Sequence, residues 1–188
     1  MFWGKPGAAS ESNARAVFNA ANGFLSVWHL GANVADDAGT LTSQDAGTSP
    51  VRGVIGTARH FAGKQGIFGG DKIPNYPTGS APNTTTAWFR AEVPNSTLIG
   101  WGNEQRQGKV VMQFASPPHI RMDCYFSAAN VATTNRLALN EWFHIAHTHR
   151  PGESLLYVNG VLAGATRRND SPLDIRNPAR LWIGGWYN

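Results

Sequence analysis

Residues 119–126 read HIRMDCYF. In an extended chain successive side chains point to opposite faces, so His119, Arg121, Asp123 and Tyr125 fall on one side and Ile120, Met122, Cys124 and Phe126 on the other. The apolar set belongs to a core and the polar set to solvent. Arg donates in a planar fork, a carboxylate accepts, and Tyr and His both stack and hydrogen-bond. Such a set suits recognition of a ligand rich in hydroxyl groups, and Gln113, in KVVMQFA (109–115), adds an amide donor. An ordinary solvated sheet face shows the same alternation, so two readings stand. The residue types favour the ligand face, because idle surfaces are richer in Lys, Glu, Ser and Thr.

Other constellations are weaker. His147 and His149, in HIAHTHR, lie on one side of a strand as zinc ligands can, yet two ligands are too few and no third is apparent. Packing or surface roles are expected for them. Glycoside hydrolysis needs two carboxylates, about 5 to 9.5 Å apart depending on stereochemistry. The acidic residues here are scattered, the close sets being Asp36 with Asp37 and Asp170 with Asp174. Asp123 is the one acid in mid-strand on a wet face, which suits an acceptor beside Arg121 better than a catalyst. A polysaccharide lyase needs a group that neutralises a uronate and one that removes a proton. Gln113, His119, Arg121 and Tyr125 supply these types, so lyase chemistry is the best enzymatic rival to binding.

These side chains need a scaffold, and the composition describes one. A chain of 188 residues holds one domain with a real core. Its 21 Gly and 11 Pro, spread along the length, favour many turns over long helices and hence an all-β protein. The net charge of +4 is dispersed, with Arg167-Arg168 the only adjacent basic pair, so nucleic acid is a poor partner. One cysteine, Cys124, excludes an internal disulfide and any multi-cysteine metal site. No run approaches the roughly 18 apolar residues of a membrane helix, and no membrane partner is expected. The first residues lack the layout of a signal peptide, which implies a cytosolic protein or a piece of a larger one.

Along the chain, Ser10–Ala21 predicts a short helix with Ser10 or Ser12 as cap. From 39 to 82, Gly and Pro recur around the short apolar runs Val54-Ile55 and Ile67-Phe68, predicting small strands and long loops. Firmer strands follow at 85–93, 96–102, 109–115, 119–126, 141–149, 154–158, 161–167 and 180–186. Asn159-Gly160, between two of them, fits a two-residue type I′ hairpin turn. Six to nine short strands with turns between them point to a sandwich or jelly roll.

Several segments together resemble a known family: SVWHLGA (26–32), the loop with Asp36, Asp37 and Gly39, VIGTARHFAG (54–63), TTAWFRAEV (85–93), NEWFHIAHTHRPGESLLYVNGVLAG (140–164) and ARLWIGG (179–185). They are similar to the LamG-like, concanavalin A-like lectin/glucanase jelly roll of bacterial extracellular proteins. A strand of the form Trp-x-His-x-Ala leading to a Leu-x-Tyr-x-Asn-Gly hairpin is matched by Trp142, His144, Ala146, Tyr157, Asn159 and Gly160. The N-terminal stretch also resembles the end of a small β-domain of unknown function that often precedes such a jelly roll.

The resemblance implies a concanavalin A-like β-sandwich with one short N-terminal helix, divided as an N-terminal extension (1–25) and a jelly roll (26–188). It implies a further acidic strand beyond the Ile-Gly-Gly segment, whereas this sequence stops at Tyr187-Asn188; if that strand is missing, an open sheet edge and a homodimer through it are expected. It makes His144 a structural hydrogen-bonding position and Trp28, Trp88 and Trp142 scaffold positions, although alternation in TAWFRAEV sets Trp88 beside Arg90 and away from the core. It suggests calcium bound by Asp36 and Asp37, since loops of this superfamily often bind it. The Glu-x-Asp-x-x-Glu strand of the jelly-roll glucanases and the Arg-x-Glu-x-Arg and Gln-Ile-His strands of the lyases are absent.

Sugar binding asks for aromatic faces that stack on rings and polar groups that bridge hydroxyls. Trp101 and Trp186 sit beside glycines at strand ends, where rings tend to be exposed. The expected site is therefore Trp101, Gln113, His119, Arg121, Asp123, Tyr125 and Trp186, in a non-catalytic lectin-like module that binds a polysaccharide or surface glycan outside the cell as part of a larger protein. The other classes are a structural or adhesion domain that binds protein, and a lyase or glycosidase with a non-standard site.

Overall fold

Asn159 and Gly160 adopt φ of 50° and 80° between Val158 and Val161, which pair directly across the turn. Both central residues of a type I′ turn need positive φ, and Asn and Gly tolerate it best. The computed structural model describes Gly7 and residues 12–39, 41–73 and 75–185. Within them the chain forms thirteen strands, more than alternation alone predicted.

Four precede the clearest alternating segments: β1 (Gln44–Ala46), β2 (Ser49–Arg52), β3 (Thr57–His60) and β4 (Gly66–Ile73). The next five are β5 (Asn83–Arg90), β6 (Ser96–Gly102), β7 (Lys109–Ala115), β8 (His119–Asp123) and β9 (Val131–Ala132). The last four are β10 (Trp142–Arg150), β11 (Glu153–Val158), β12 (Val161–Thr166) and β13 (Ala179–Ile183). A seven-stranded sheet has the order β1-β4-β13-β6-β7-β8-β9, a four-stranded sheet β12-β11-β10-β5, and β2 with β3 forms a separate hairpin. Every pairing is antiparallel. The two large sheets pack into a jelly-roll β-sandwich.

Alternation decides what the sandwich buries. Val110, Met112 and Phe114 of β7, Ile120 and Met122 of β8, Ile145 of β10 and Leu156 of β11 are all almost completely buried. Each such side chain contributes roughly 1.5–3 kcal/mol by leaving water. His147 and His149 also point inward. His149 bridges Ser80 Oγ at 2.9 Å and Ser154 Oγ at 3.0 Å, while among the described residues neither ring nitrogen of His147 has a hydrogen-bond partner.

Two expectations about elements change. The helix shortens to Ala14–Val17, followed by a 3-10 turn at Ala20–Asn22. Asn13 is the N-cap, accepting from the Ala16 N–H at 3.1 Å, and Ser10 lies outside the described residues. Asn19 ends the helix: its backbone is extended and its side-chain amide donates to the carbonyls of Arg15 and Ala16. Val54-Ile55 is no strand but the tip of the β2–β3 hairpin, closed by the Gly53 N–H donating to the Gly56 carbonyl at 2.9 Å. Ile55 is accordingly 86% exposed.

Among the described residues no helix is long and apolar enough to cross a membrane. Among the described residues β5 pairs only with β10 and β3 only with β2, so each has one edge without a described partner strand.

Candidate functional site

Three of the expected polar residues come together on the outer face of the seven-stranded sheet. Gln113 on β7 and Arg121 on β8 stand directly opposite each other, and Val111 opposes Asp123 one step along. Arg121 donates to Gln113 Oε1 from Nε at 3.2 Å and from Nη2 at 2.7 Å, and approaches Asp123 Oδ2 at 3.4 Å. Asp123 Oδ1 accepts the Tyr125 backbone N–H at 2.9 Å, an Asx turn that ends the strand. The result is a polar fence with Arg121 half-exposed at its centre.

β8 stops at Asp123, and the alternation that placed Phe126 in the core stops with it. Tyr125 and Phe126 both adopt left-handed backbone, with φ of 45° and 64°. Two consecutive non-glycine residues in that region carry conformational cost, which the surrounding bonds must sustain. Those bonds are present. The Gln107 N–H donates to the Tyr125 carbonyl at 2.7 Å, Ser171 Oγ donates to the Phe126 carbonyl at 3.0 Å, and Gln107 Nε2 donates to Ser171 Oγ at 2.6 Å.

The left-handed turn throws Phe126 outward, 58% exposed, with its ring centroid 4.9 Å from that of Tyr125. Arg106 lies over the Phe126 ring at 4.5 Å, and Lys109 Nζ lies 4.7 Å from the Tyr125 ring while approaching Glu104 at 3.3 Å. Arg106, Phe126, Tyr125 and Lys109 thus form a continuous cation-aromatic column beside the Gln113–Arg121–Asp123 fence. Each cation-ring contact contributes about 0.5–1 kcal/mol at such sites. Further along the same outer face, Phe68 and Trp182 pair with ring centroids 4.8 Å apart.

The remaining expected residues go elsewhere. His119 turns away, its Nδ1 2.6 Å from the Pro117 carbonyl oxygen. Trp101 is no rim residue: it is 4% exposed, donates its indole N–H to Thr85 Oγ1 at 3.0 Å and packs edge-on against Tyr76. Burial pushes the Tyr76 hydroxyl up to about 12, against a hydrogen bond with Ser26. Trp186 lies outside the described residues.

Among the described residues the carboxylates of the Asp36-Asp37 loop, expected to bind calcium, bond the chain itself. Asp36 is buried, with Oδ1 accepting the N–H groups of Val27 (2.8 Å) and Ala38 (3.0 Å) and Oδ2 that of Leu41 (3.1 Å). Asp37 instead meets His29 Nδ1 at 2.5 Å. Both carboxylates staple the loop. Among the described residues no group of three or more His, Cys, Asp or Glu could hold a metal ion. His144 keeps its strand's link to the hairpin through its backbone: its N–H donates to Asn159 Oδ1 at 2.9 Å and its carbonyl accepts the Asn159 N–H at 2.8 Å. Its imidazole is 5.2 Å from the ring of Trp88, which is 53% exposed on the outer face of the four-stranded sheet.

Sequence reasoning missed Arg106, Lys109 and Phe126. Arg106 could have been placed by GNEQRQG (102–108), whose glycines mark a short hairpin loop between β6 and β7. For Phe126 the available signal was Asp123, a residue that commonly terminates strands through its own side chain.

Residues 68–188 match the family described as the concanavalin A-like lectin/glucanases superfamily. No curated protein matches the chain. Among solved structures it is similar to domain 4 of AbnA, a GH43 extracellular arabinanase from Geobacillus stearothermophilus, in complex with arabinotriose. That likeness has a TM-score of 0.59 and 15% identity over 81% of this chain and 79% of the other. The LG1-3 region of the laminin α2 chain gives a TM-score of 0.48 and 11% identity, over 63% of this chain and 25% of that one. Carbohydrate binding module CBM66 from Bacillus subtilis gives 0.42 and 9%, over 77% and 89%. This chain thus spans about a quarter of the laminin region's length and most of the other two.

Proposed function

Because the chain belongs to the concanavalin A-like lectin/glucanase superfamily, we propose that it is a non-catalytic module of a larger extracellular protein that binds a polysaccharide on the outer face of its seven-stranded sheet. Phe126 and Tyr125 offer ring faces to a sugar, Arg121 and Gln113 donate to its hydroxyl groups, and Asp123 accepts from them. Arg106 and Lys109 hold the two rings in place from either end of the column. The observation that carries this reading is Phe126, an exposed aromatic ring held in left-handed backbone beside a preorganised polar fence. Strain maintained by surrounding bonds is typical of sites that must present a side chain.

Binding is favoured over cleavage because Asp123, the acid of the fence, is engaged at both oxygens, by Arg121 and by the Tyr125 N–H, and Glu104 is taken up by Lys109. A carboxylate so held is a fixed acceptor and is poorly placed to carry protons. The arabinotriose seen with the arabinanase domain makes pentose-containing polysaccharides the first to try.

The test is retention on a panel of soluble and insoluble polysaccharides, with arabinan included, followed by assays for reducing ends and unsaturated products. Retention without products is expected. Product release, or retention that survives Phe126→Ala together with Arg121→Ala, would overturn the reading.

A further inference from the structure

Around the cation-aromatic column the acids each meet a cation. Glu104 takes up Lys109 Nζ at 3.3 Å, Asp123 meets Arg121 at 3.4 Å, and Asp174 meets Arg176 Nη2 at 2.9 Å. Arg106 is different. Among the described residues its exposed guanidinium makes no ion pair and no hydrogen bond, and it is held by Phe126, 4.5 Å from the ring centroid.

The loop that carries Arg106 is fixed on both sides of it. Gln105 donates its side-chain amide to the Asp174 carbonyl at 2.5 Å. Gln107 donates its backbone N–H to the Tyr125 carbonyl at 2.7 Å and its side-chain amide to Ser171 Oγ at 2.6 Å, and its carbonyl accepts the Asp174 N–H at 2.8 Å. Within the loop the Gly108 N–H reaches the Gln105 carbonyl at 3.0 Å. Bonds on both neighbours restrain the backbone of Arg106, and Phe126 restrains its side chain. A guanidinium so held keeps its five N–H donors for a partner and gives up little conformational freedom on meeting one.

We infer that Arg106 sets the specificity of the sugar face and that the glycan it selects is anionic, a polysaccharide carrying uronate carboxylates. This rests on the sugar-face reading above. A guanidinium fork meets a carboxylate with two parallel charge-assisted hydrogen bonds, whereas a neutral hydroxyl matches only part of the fork and none of its charge. A uronate ring laid against Phe126 brings its carboxylate to the edge of the guanidinium that already lies over that ring. Lys109 and Arg121 are poorer partners, because Glu104 and Asp123 offset their charges and Lys109 is only 9% exposed. The same pairings keep Glu104 and Asp123 from repelling an incoming anion.

The probes are polygalacturonate, glucuronoxylan and alginate, each paired with its carboxyl-reduced form, beside neutral arabinan and dextran sulfate. Affinity is measured at about 0.15 M salt, where diffuse attraction to a polyanion is screened within about 8 Å. At least one uronate polymer is expected to bind about tenfold or more tighter than its reduced form. Arg106→Gln should erase that difference and leave the reduced form bound within about twofold of the parent. Losing a group that only held the Phe126 ring would weaken both forms alike. Arg52→Gln, which removes the same charge from the separate β2–β3 hairpin, should change neither. The inference falls if every uronate polymer binds no better than its reduced form, or if arabinan or dextran sulfate binds tighter than all three. It falls equally if Arg106→Gln weakens both forms alike, or if Arg52→Gln has the effect of Arg106→Gln. In any of these cases, binding of neutral polymers that Phe126→Ala abolishes leaves the sugar face standing. Retention of no polymer at all would remove the sugar face and the role of Arg106 with it.

Discussion

The indole N–H of Trp101 donates to Thr85 Oγ1 at 3.0 Å, joining β6 of one sheet to β5 of the other through the core. Trp101 is therefore part of what holds the sandwich shut. Trp101→Ala removes a large buried ring and strands the Thr85 hydroxyl, which should cost about 3–5 kcal/mol. For a chain of this size that is a fall in Tm of about 6–20 °C. Trp101→Phe should fall between the two. Loss of glycan retention with an unchanged Tm would return Trp101 to the binding surface.

At Phe126 the signs separate. Phe126→Gly relieves left-handed strain worth roughly 1–2 kcal/mol but gives up the contact with Arg106, about 0.5–1 kcal/mol, and adds chain entropy to the unfolded state. Stability should thus stay within about 1 kcal/mol of the parent, while the stacking face disappears. Retention on the polysaccharide should weaken on the order of tenfold with Tm moved by a few degrees at most. Titration by fluorescence or calorimetry alongside a melt checks both. Unchanged affinity would show that the ring is not part of the site.

The contrast between these two residues shows what local pattern can and cannot carry. β7 and β6 stand where alternation and turn residues put them, and the Asn159-Gly160 turn forms as its two residue types require, because those signals are short-range. The Gln113–Arg121–Asp123 fence was legible for the same reason. Trp101 was not, because Gly100 and Gly102 on either side give no inside-outside contrast and a bulge between Thr97 and Ile99 shifts the phase of the strand. Phe126 was misplaced because alternation holds only while the strand lasts. Ser171 reaches the site from a distant point in the chain, and no local pattern encodes its meeting with Gln107 and Phe126.

Asp36 should matter to folding and be indifferent to calcium. Asp36→Ala leaves three backbone N–H donors without their acceptor, each costing about 1–3 kcal/mol where buried, so a melt should show a drop of several degrees or more. The parent protein should melt at the same temperature with calcium and with a chelator. A rise in Tm on adding calcium that disappears in Asp36→Ala would make the loop a cation site after all.

His147 sets the acid limit. Burial, reinforced by neighbouring His149, pushes its imidazole down to about 3, and burial also lowers His149. In the unfolded chain the same ring titrates near its ordinary value of 6.5. Between these two values the unfolded state binds the extra proton and the folded state does not, so stability is intact above about 6.5 and is lost as pH falls below it. Each pH unit through that window should lower the folded-to-unfolded ratio by up to about tenfold for this group. His147→Leu tests the cause, because neither ring nitrogen makes a hydrogen bond that leucine would forfeit. At neutral pH the variant should be as stable as the parent or more so, and its stability should fall less steeply between pH 6.5 and 4 in denaturant titrations. A variant that keeps the parent's full acid slope would remove His147 as the source and leave His149, bridged by Ser80 and Ser154, as the group that titrates.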